Sequence, residues 1–348
     1  MGRRLAWLPR IISVGLALMG MLLFPSAAFS APPNDPTALT ATVVNQNRIQ
    51  LNWTDNGGGV DHFAVYQNGA FLSSVPSPAT SYLHAGLTAN TPYINYTVIA
   101  CNAGAECSGA AGPVSATTAP DVPTGLGTTT ITATQVDLTW NSSTGATDYH
   151  VYRDGVLRAT VNGVTTYSDT GLNGATNYNY TVAACNFGGS SGCSDQSGSL
   201  PVTTSTPATP TGLATTPIST QQIDLIWNAS AGATHYEVFR DAVSRGTVAV
   251  TAFSDTGLSG ATTYNYTVTA CGPNACSAQS AAVPGTTSTP ATPTGLATTP
   301  VSETQINLTW NASTGATHYE VFRDAVSRGT TAATAFSDTG LSGATTYN

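Results

Sequence analysis

One pair of markers recurs four times in register, and that recurrence constrains the fold more than any other feature. Trp53, Trp140, Trp227 and Trp310 are spaced by 87, 87 and 83 residues. Pro36-Thr37-Ala38-Leu39 and the Pro-Thr-Gly-Leu segments starting at Pro123, Pro210 and Pro293 keep the same offsets. Two independent markers with one period mean a tandem array of structural units. Residues 207–265 and 290–348 differ at only eight of 59 aligned positions. Repeats three and four are therefore close copies.

Within each repeat the hydrophobic period is two. Ile49-Leu51-Trp53, Val136-Leu138-Trp140, Ile223-Leu225-Trp227 and Ile306-Leu308-Trp310 alternate with mostly polar residues. That pattern is a strand with one buried face. A second run carries Phe63-Val65, Tyr149-Val151, Tyr236-Val238 and Tyr319-Val321. It leads into Asn68-Gly69 and Asp154-Gly155, which suit a two-residue hairpin turn because both central residues need positive φ. Repeats three and four have Asp241-Ala242 and Asp324-Ala325 instead. Alanine tolerates positive φ poorly, so a different or longer turn is expected there. A third run holds Tyr82, Tyr167, Phe253 and Phe336. Then Leu87, Leu172, Leu258 and Leu341 each precede a Tyr by six residues, and a Tyr-Thr-Val strand follows in repeats one to three. Repeat one has one extra residue before that strand, which predicts a bulge near Ile94. About seven short strands in roughly 85 residues, with no convincing helical period after the N-terminus, predict a two-sheet sandwich per repeat.

The early Pro, the strand-closing Trp, and Leu172-x-Gly174-x-Thr176-x-Tyr178 before a Tyr-x-Val strand together resemble the fibronectin type III family. The resemblance covers nearly the whole chain after residue 30. It implies an all-β fold of tandem immunoglobulin-like sandwiches, three complete and one truncated. It also implies that Tyr93, Tyr178, Tyr264 and Tyr347 are tyrosine-corner residues and that the four Trp are core. The low complexity and paired cysteines look most like bacterial versions, often found beside secreted polysaccharide-degrading catalytic domains. The expected domains are 31–119, 120–206, 207–289 and an incomplete 290–348. That last segment is expected to be unstable alone.

Residues 1–30 read as a secretory signal peptide. Arg3, Arg4 and Arg10 form a basic start, Ile11–Phe24 is apolar but short for a span, and Ala28 and Ser30 offer small residues at a cleavage site. No membrane span is expected after cleavage. The six cysteines fall in three close pairs, Cys101/Cys107, Cys185/Cys193 and Cys271/Cys276, each after the Tyr-Thr-Val strand. One pair per repeat at one place favours three local disulfides, which suits an exported protein. Their varying spacing and the lack of nearby ligands argue against zinc. Ordinary type III modules lack this bridge.

The chain contains no lysine. Its ten basic residues are all Arg against 18 acidic residues, and removing the first three Arg leaves 7 − 18 = −11. A balance this acidic argues against nucleic acid and anionic membranes. Gly188-Gly189-Ser190-Ser191-Gly192 matches a nucleophile-elbow pattern but lacks the following helix that the motif requires. His62, His235 and His318 sit before the second run and His150 within it, with no ligand spacing. Arg153-Asp154-Gly155 reads as a turn. Phe71 and Phe187 are the only aromatics that read as outside the core. No catalytic residue, cofactor site or metal site is expected. The expectation is a secreted, non-catalytic spacer or an interaction array for extracellular polysaccharide or protein. The alternatives are the accessory region of a glycoside hydrolase and a cell-surface adhesin. Thr204-Ser205-Thr206-Pro207 and its counterparts should stiffen the joints and extend the array.

Overall fold

The computed structural model describes residues 31–186 and 192–348. The leader and most of the Gly-x-Ser-x-Gly segment, with Phe187, lie outside the described residues. All regular elements among the described residues are strands, β1 (Thr37–Asn45) to β26 (Ala335–Thr339). No described helix is long and apolar enough to cross a membrane. By Cα proximity the chain forms two compact units. One takes residues 31–41 with 51–82 and 94–115. The other takes 42–50, 83–93 and 116–348.

Repeat two shows the plan. β8 (Gly127–Ile131), β9 (Gln135–Thr139) and β12 (Thr166–Thr170) form one sheet in the order β12-β9-β8. β10 (Asp148–Arg153), β11 (Val156–Asn162), β13 (Asn177–Cys185) and β14 (Leu200–Thr203) form the other, in the order β11-β10-β13-β14. Repeat three, with β15 (Ala214–Pro217), β16 (Gln222–Ile226), β17 (His235–Arg240), β18 (Val243–Val248), β19 (Ala252–Thr256), β20 (Thr263–Cys271) and β21 (Val283–Thr286), repeats the plan as β15-β16-β19 and β18-β17-β20-β21. Repeat one, with β2 (Arg48–Thr54), β3 (His62–Gln67), β4 (Ala70–Pro76), β5 (Ser81–Ala85), β6 (Pro92–Cys101) and β7 (Cys107–Thr117), does so as β1-β2-β5 and β4-β3-β6-β7. Between the sheets of repeat two lie Val136, Leu138, Trp140, Tyr149, Tyr180 and Val182. Ile223, Leu225, Trp227, Tyr236, Tyr266 and Val268 fill repeat three identically. The alternation read from sequence is thus the inward face of each sheet.

The Trp rings are core. Trp53 meets Phe63, and Trp140, Trp227 and Trp310 meet Tyr149, Tyr236 and Tyr319, edge to face at 5.3–5.5 Å. Each indole N–H is buried without an acceptor. The tyrosine partners have a second use. Tyr149, Tyr236 and Tyr319 hydroxyls accept from the backbone N–H of Ser143, Ser230 and Ser313 at 2.8–2.9 Å. Repeat one has Phe63 here and a glycine-rich loop instead.

In repeat four β22 (Ala297–Ser302) and β23 (Gln305–Thr309) join β26 in the order β22-β23-β26, and β24 (Tyr319–Arg323) pairs with β25 (Val326–Thr331). A hollow of about 600 Å³, lined in part by Leu308, Trp310, Tyr319 and Val321, lies against β24 (Tyr319–Arg323). In repeat three the corresponding side chains are covered by Tyr266, Val268 and Ala270 of β20 (Thr263–Cys271).

The expectation for the repeat-three and repeat-four turns is corrected. Asp241 and Ala242 have φ of 50° and 64°, and Asp324 and Ala325 have 47° and 62°. These are the same two-residue turns as Asn68-Gly69 and Asp154-Gly155. The flanking pairs Arg240↔Val243 and Arg323↔Val326 close the hairpins. Asp241 adds a second restraint. Its carboxylate accepts from Asn265 N–H at 2.9 Å, and its own N–H donates to Asn265 O at 2.8 Å. Pairing on both sides holds alanine in a conformation it disfavours. In repeat one the extra residue is absorbed where Asn95 turns left-handed, φ 58°, next to Ile94.

Candidate functional site

The recurring polar arrangements, rather than a pocket, are the features this fold places with care. The corner is one. Tyr93, Tyr178, Tyr264 and Tyr347 hydroxyls accept from the backbone N–H of Thr88, Asn173, Ser259 and Ser342 at 2.8–3.1 Å. In repeats one to three the bond ties a strand start to the loop that precedes it.

A buried ion pair is the second, and sequence reading missed it. Arg153 at the end of β10 donates to Asp169 of β12 at 2.8 Å, so the pair joins the two sheets. Tyr180 donates its hydroxyl to the same carboxylate oxygen at 2.9 Å. The Arg153 guanidinium also lies 5.1 Å from the centre of the Tyr178 ring, a cation–π distance. Repeat three builds the same set from Arg240, Asp255, Tyr266 and Tyr264, with Arg245 added at 3.6 Å. Repeat four has Arg323 and Arg328 on Asp338, with Arg323 over Tyr347. Burial pushes the Tyr180 and Tyr266 hydroxyls well above their ordinary pKa, and the hydrogen bond each gives to Asp adds to this. Burial opposes the Arg153 charge, yet the bond and charge of Asp169 outweigh it and raise its pKa. A sequence signal existed. Arg and Asp are present together in repeats two to four, while repeat one has Gln67 and His84 at both places.

The cysteines are the third. Cys101 is bonded to Cys107, Cys185 to Cys193 and Cys271 to Cys276. At the ends of β13 and β20, Cys185 faces Cys193 and Cys271 faces Cys276 as isolated antiparallel bridges. His150 Nδ1 lies 3.7 Å from Cys193 Sγ, and its Nε2 lies 3.6 Å from Asp148. Sequence spacing gave no hint of this buried cluster, because β10 and β13 bring it together across the sheet. Both sulfurs are in the disulfide, so neither is the thiolate a metal would need. The other histidines stay apart. His62 pairs with Asp61, and His235 and His318 each bond the preceding Thr. Phe71 is exposed and packs edge-to-face on Tyr66 at 5.7 Å.

Sheet order, buried Trp and corner Tyr together define the class. The chain is a tandem array of two-sheet antiparallel β-sandwiches, similar in sheet order, buried Trp and corner Tyr to fibronectin type III domains. No family model matches the chain. It is 37 % identical to exoglucanase B of Cellulomonas fimi over 260 residues, which is 66 % of this chain and 24 % of that protein. It is 36 % identical to chitinase A1 of Niallia circulans over 166 residues, 44 % of this chain and 24 % of that one. A poly(3-hydroxybutyrate) depolymerase of Ralstonia pickettii is 48 % identical over 79 residues, covering 22 % of this chain and 16 % of the relative. The chain thus spans about a quarter of the length of the first two relatives. A solved structure of the chicken CNTN1 FN1–FN3 domains, 17 % identical, covers 74 % of this chain and 100 % of that one with a TM-score of 0.24.

Proposed function

We propose that this chain is a secreted, non-catalytic array that spaces or supports a polymer-degrading catalytic unit. One observation carries the reading. Parts of this chain match parts of an exoglucanase, a chitinase and a poly(3-hydroxybutyrate) depolymerase. Relatives named for three different polymers carry similar sequence, which supports a role other than substrate choice. What is common is geometry, and fold alone carries no chemistry. The residues agree. Arg153, Asp169 and Tyr180 are spent on one another inside the sandwich, and the His150 cluster has its sulfurs in a disulfide. The basic and apolar leader and the three disulfides support export. The test is retention of residues 31–348 on cellulose, chitin and starch, with hydrolysis assayed alongside. No retention and no hydrolysis is the expected result. Specific retention would replace the spacer with a polysaccharide-binding array, and hydrolysis would overturn the non-catalytic reading.

A further inference from the structure

The disulfide-bracketed loops have a second set of contacts that hairpin stability does not explain. They reach the preceding repeat. Between repeats two and three, Asn274, inside the Cys271–Cys276 loop, donates its N–H to Ala175 O at 3.2 Å. Gly272, next to Cys271, lies so close to the repeat-two corner that a Cβ there would sit 1.8 Å from Gly174 O. Beside it, Gly174 N–H donates to Gly232 O at 2.8 Å. Gly232 has φ +80°, and a Cβ there would meet Ala133 O at 2.8 Å. At Gly272 and Gly232 the neighbouring backbone comes closer than a Cβ would allow, so glycine is required there.

The other joints use the same places with other residues. Within the larger unit, Asn186, which follows Cys185, is buried and donates to Thr118 O at 3.1 Å. Asp195, just past Cys193, accepts from Asn45 at 3.1 Å and Gln46 at 3.1 Å, and its N–H donates to Gln46 at 2.8 Å. At the next joint the counterparts of Asn45, Gln46 and Asp195 are Thr132, Ala133 and Ala278. Both sides change together, from an amide–carboxylate clamp to small residues. Between repeats three and four, Gly260 N–H donates to Gly315 O at 2.8 Å, reproducing the Gly174–Gly232 bond. The linkers are tied down as well. Ser205 N–H donates to Thr132 O at 3.1 Å, and Ser288 N–H to Ser219 O at 3.2 Å.

We infer that the cystine loop of a repeat is the docking element that fixes it on the repeat before, so that the disulfide holds the joint angle as well as its own hairpin. The inference rests on the spacer reading for its purpose, because a spacer transmits position only if its joints do not hinge. A four-residue loop closed by a bond presents Asn274 and Gly272 in one conformation, whereas an open loop would average over many. Alternative side-chain pairs at successive joints let each interface accept its own neighbour and disfavour a shuffled one.

Amide hydrogen exchange on residues 31–348 tests this directly, because the Gly174 and Asn274 N–H groups are bonded only while the joint is closed. The Cys271→Ser/Cys276→Ser variant should speed exchange at both amides by roughly ten-fold or more, while Val238 in the centre of β17 (His235–Arg240) stays protected. Unchanged exchange at Gly174 in that variant would overturn the inference, as would an unprotected Gly174 in the parent chain. Should Val238 lose protection as well, Gly272→Ala decides. It leaves the disulfide intact and wedges the joint, so Gly174 should again exchange faster. Unchanged Gly174 exchange there sinks the docking role. Polymer retention is a separate readout, so failure of the joint and failure of the spacer reading are told apart.

Discussion

Arg153 and Asp169 sit 2.8 Å apart, on different sheets of one sandwich, with side chains only 18 % and 3 % exposed. A pair this buried gives little net stability as a pair, because desolvation offsets attraction, but losing one partner strands the other. Asp169→Ala should therefore cost about 3–5 kcal/mol. It leaves a guanidinium and the Tyr180 hydroxyl without their acceptor. Arg153→Met with Asp169→Leu should cost much less than the single change. Chemical denaturation of the four variants of this cycle measures both, and equal losses for single and double would refute the account.

The same network sets a limit at high pH. Tyr180 and Tyr266 have pKa values raised above the ordinary 10.0 by burial and by their bonds to Asp169 and Asp255. The folded chain therefore holds these two protons more tightly than the unfolded chain. Their contribution is fully present below pH 10 and declines as pH rises from there toward the raised folded values. Stability should fall steeply above pH 10, and Tyr180→Phe with Tyr266→Phe should flatten that fall. A melting series from pH 8 to 11.5 checks it; an unchanged slope in the double variant would count against it.

Ala242 and Ala325 occupy turn positions at φ 64° and 62°. Left-handed backbone costs a residue with a Cβ roughly 1 kcal/mol relative to glycine. Ala242→Gly should stabilise repeat three by about 0.5–1 kcal/mol, and Gly155→Ala should destabilise repeat two by a similar amount. Midpoints of urea unfolding for these two variants should move in opposite directions.

The sandwich was legible because its signals are local and repeated. A period of two around Trp140, a Tyr six residues after Leu172, and a Cys pair after each Tyr-Thr-Val strand can be read within a few residues of each other. The turn at Asp241-Ala242 was misread because propensity weighs alanine alone. The structure decides it by strand pairing from Arg240↔Val243 and by the Asp241 bonds to Asn265, 24 residues away. The Arg153–Asp169 pair went unseen although Gln67 and His84 depart together. Its partners are 16 residues apart on opposite sheets, and no periodicity connects them. Joint contacts such as Asn274 to Ala175 are harder still, since repeat alignment compares equivalent residues and never adjacent repeats.

The disulfides should contribute through the unfolded chain. Sequence separations of 6, 8 and 5 close short loops. The chain-entropy model gives about 2–2.5 kcal/mol for each. Peptide mapping without reductant should recover only the pairs Cys101–Cys107, Cys185–Cys193 and Cys271–Cys276. Reduction should lower the unfolding midpoint of repeats one to three. Free thiols, or bridges between repeats, would contradict both.

His84 should make repeat one respond to acid differently from its neighbours. It stands where repeats two to four have Asp169, Asp255 and Asp338, and its ring lies 5.9 Å from the Tyr93 ring. Partial burial lowers its pKa below the ordinary 6.5. A lowered histidine favours the neutral form in the folded state, so the folded chain binds fewer protons than the unfolded one. Its contribution is present above pH 6.5 and is lost as pH falls through the lowered folded value. Acidification from pH 7 to 5 should therefore destabilise repeat one. His84→Asn should remove that part of the slope while the other repeats keep theirs. Exchange protection at Val65 and Val98, followed against pH in both proteins, measures the effect at buried core positions of repeat one. Identical pH profiles for parent and variant would show that His84 carries no proton linkage to folding.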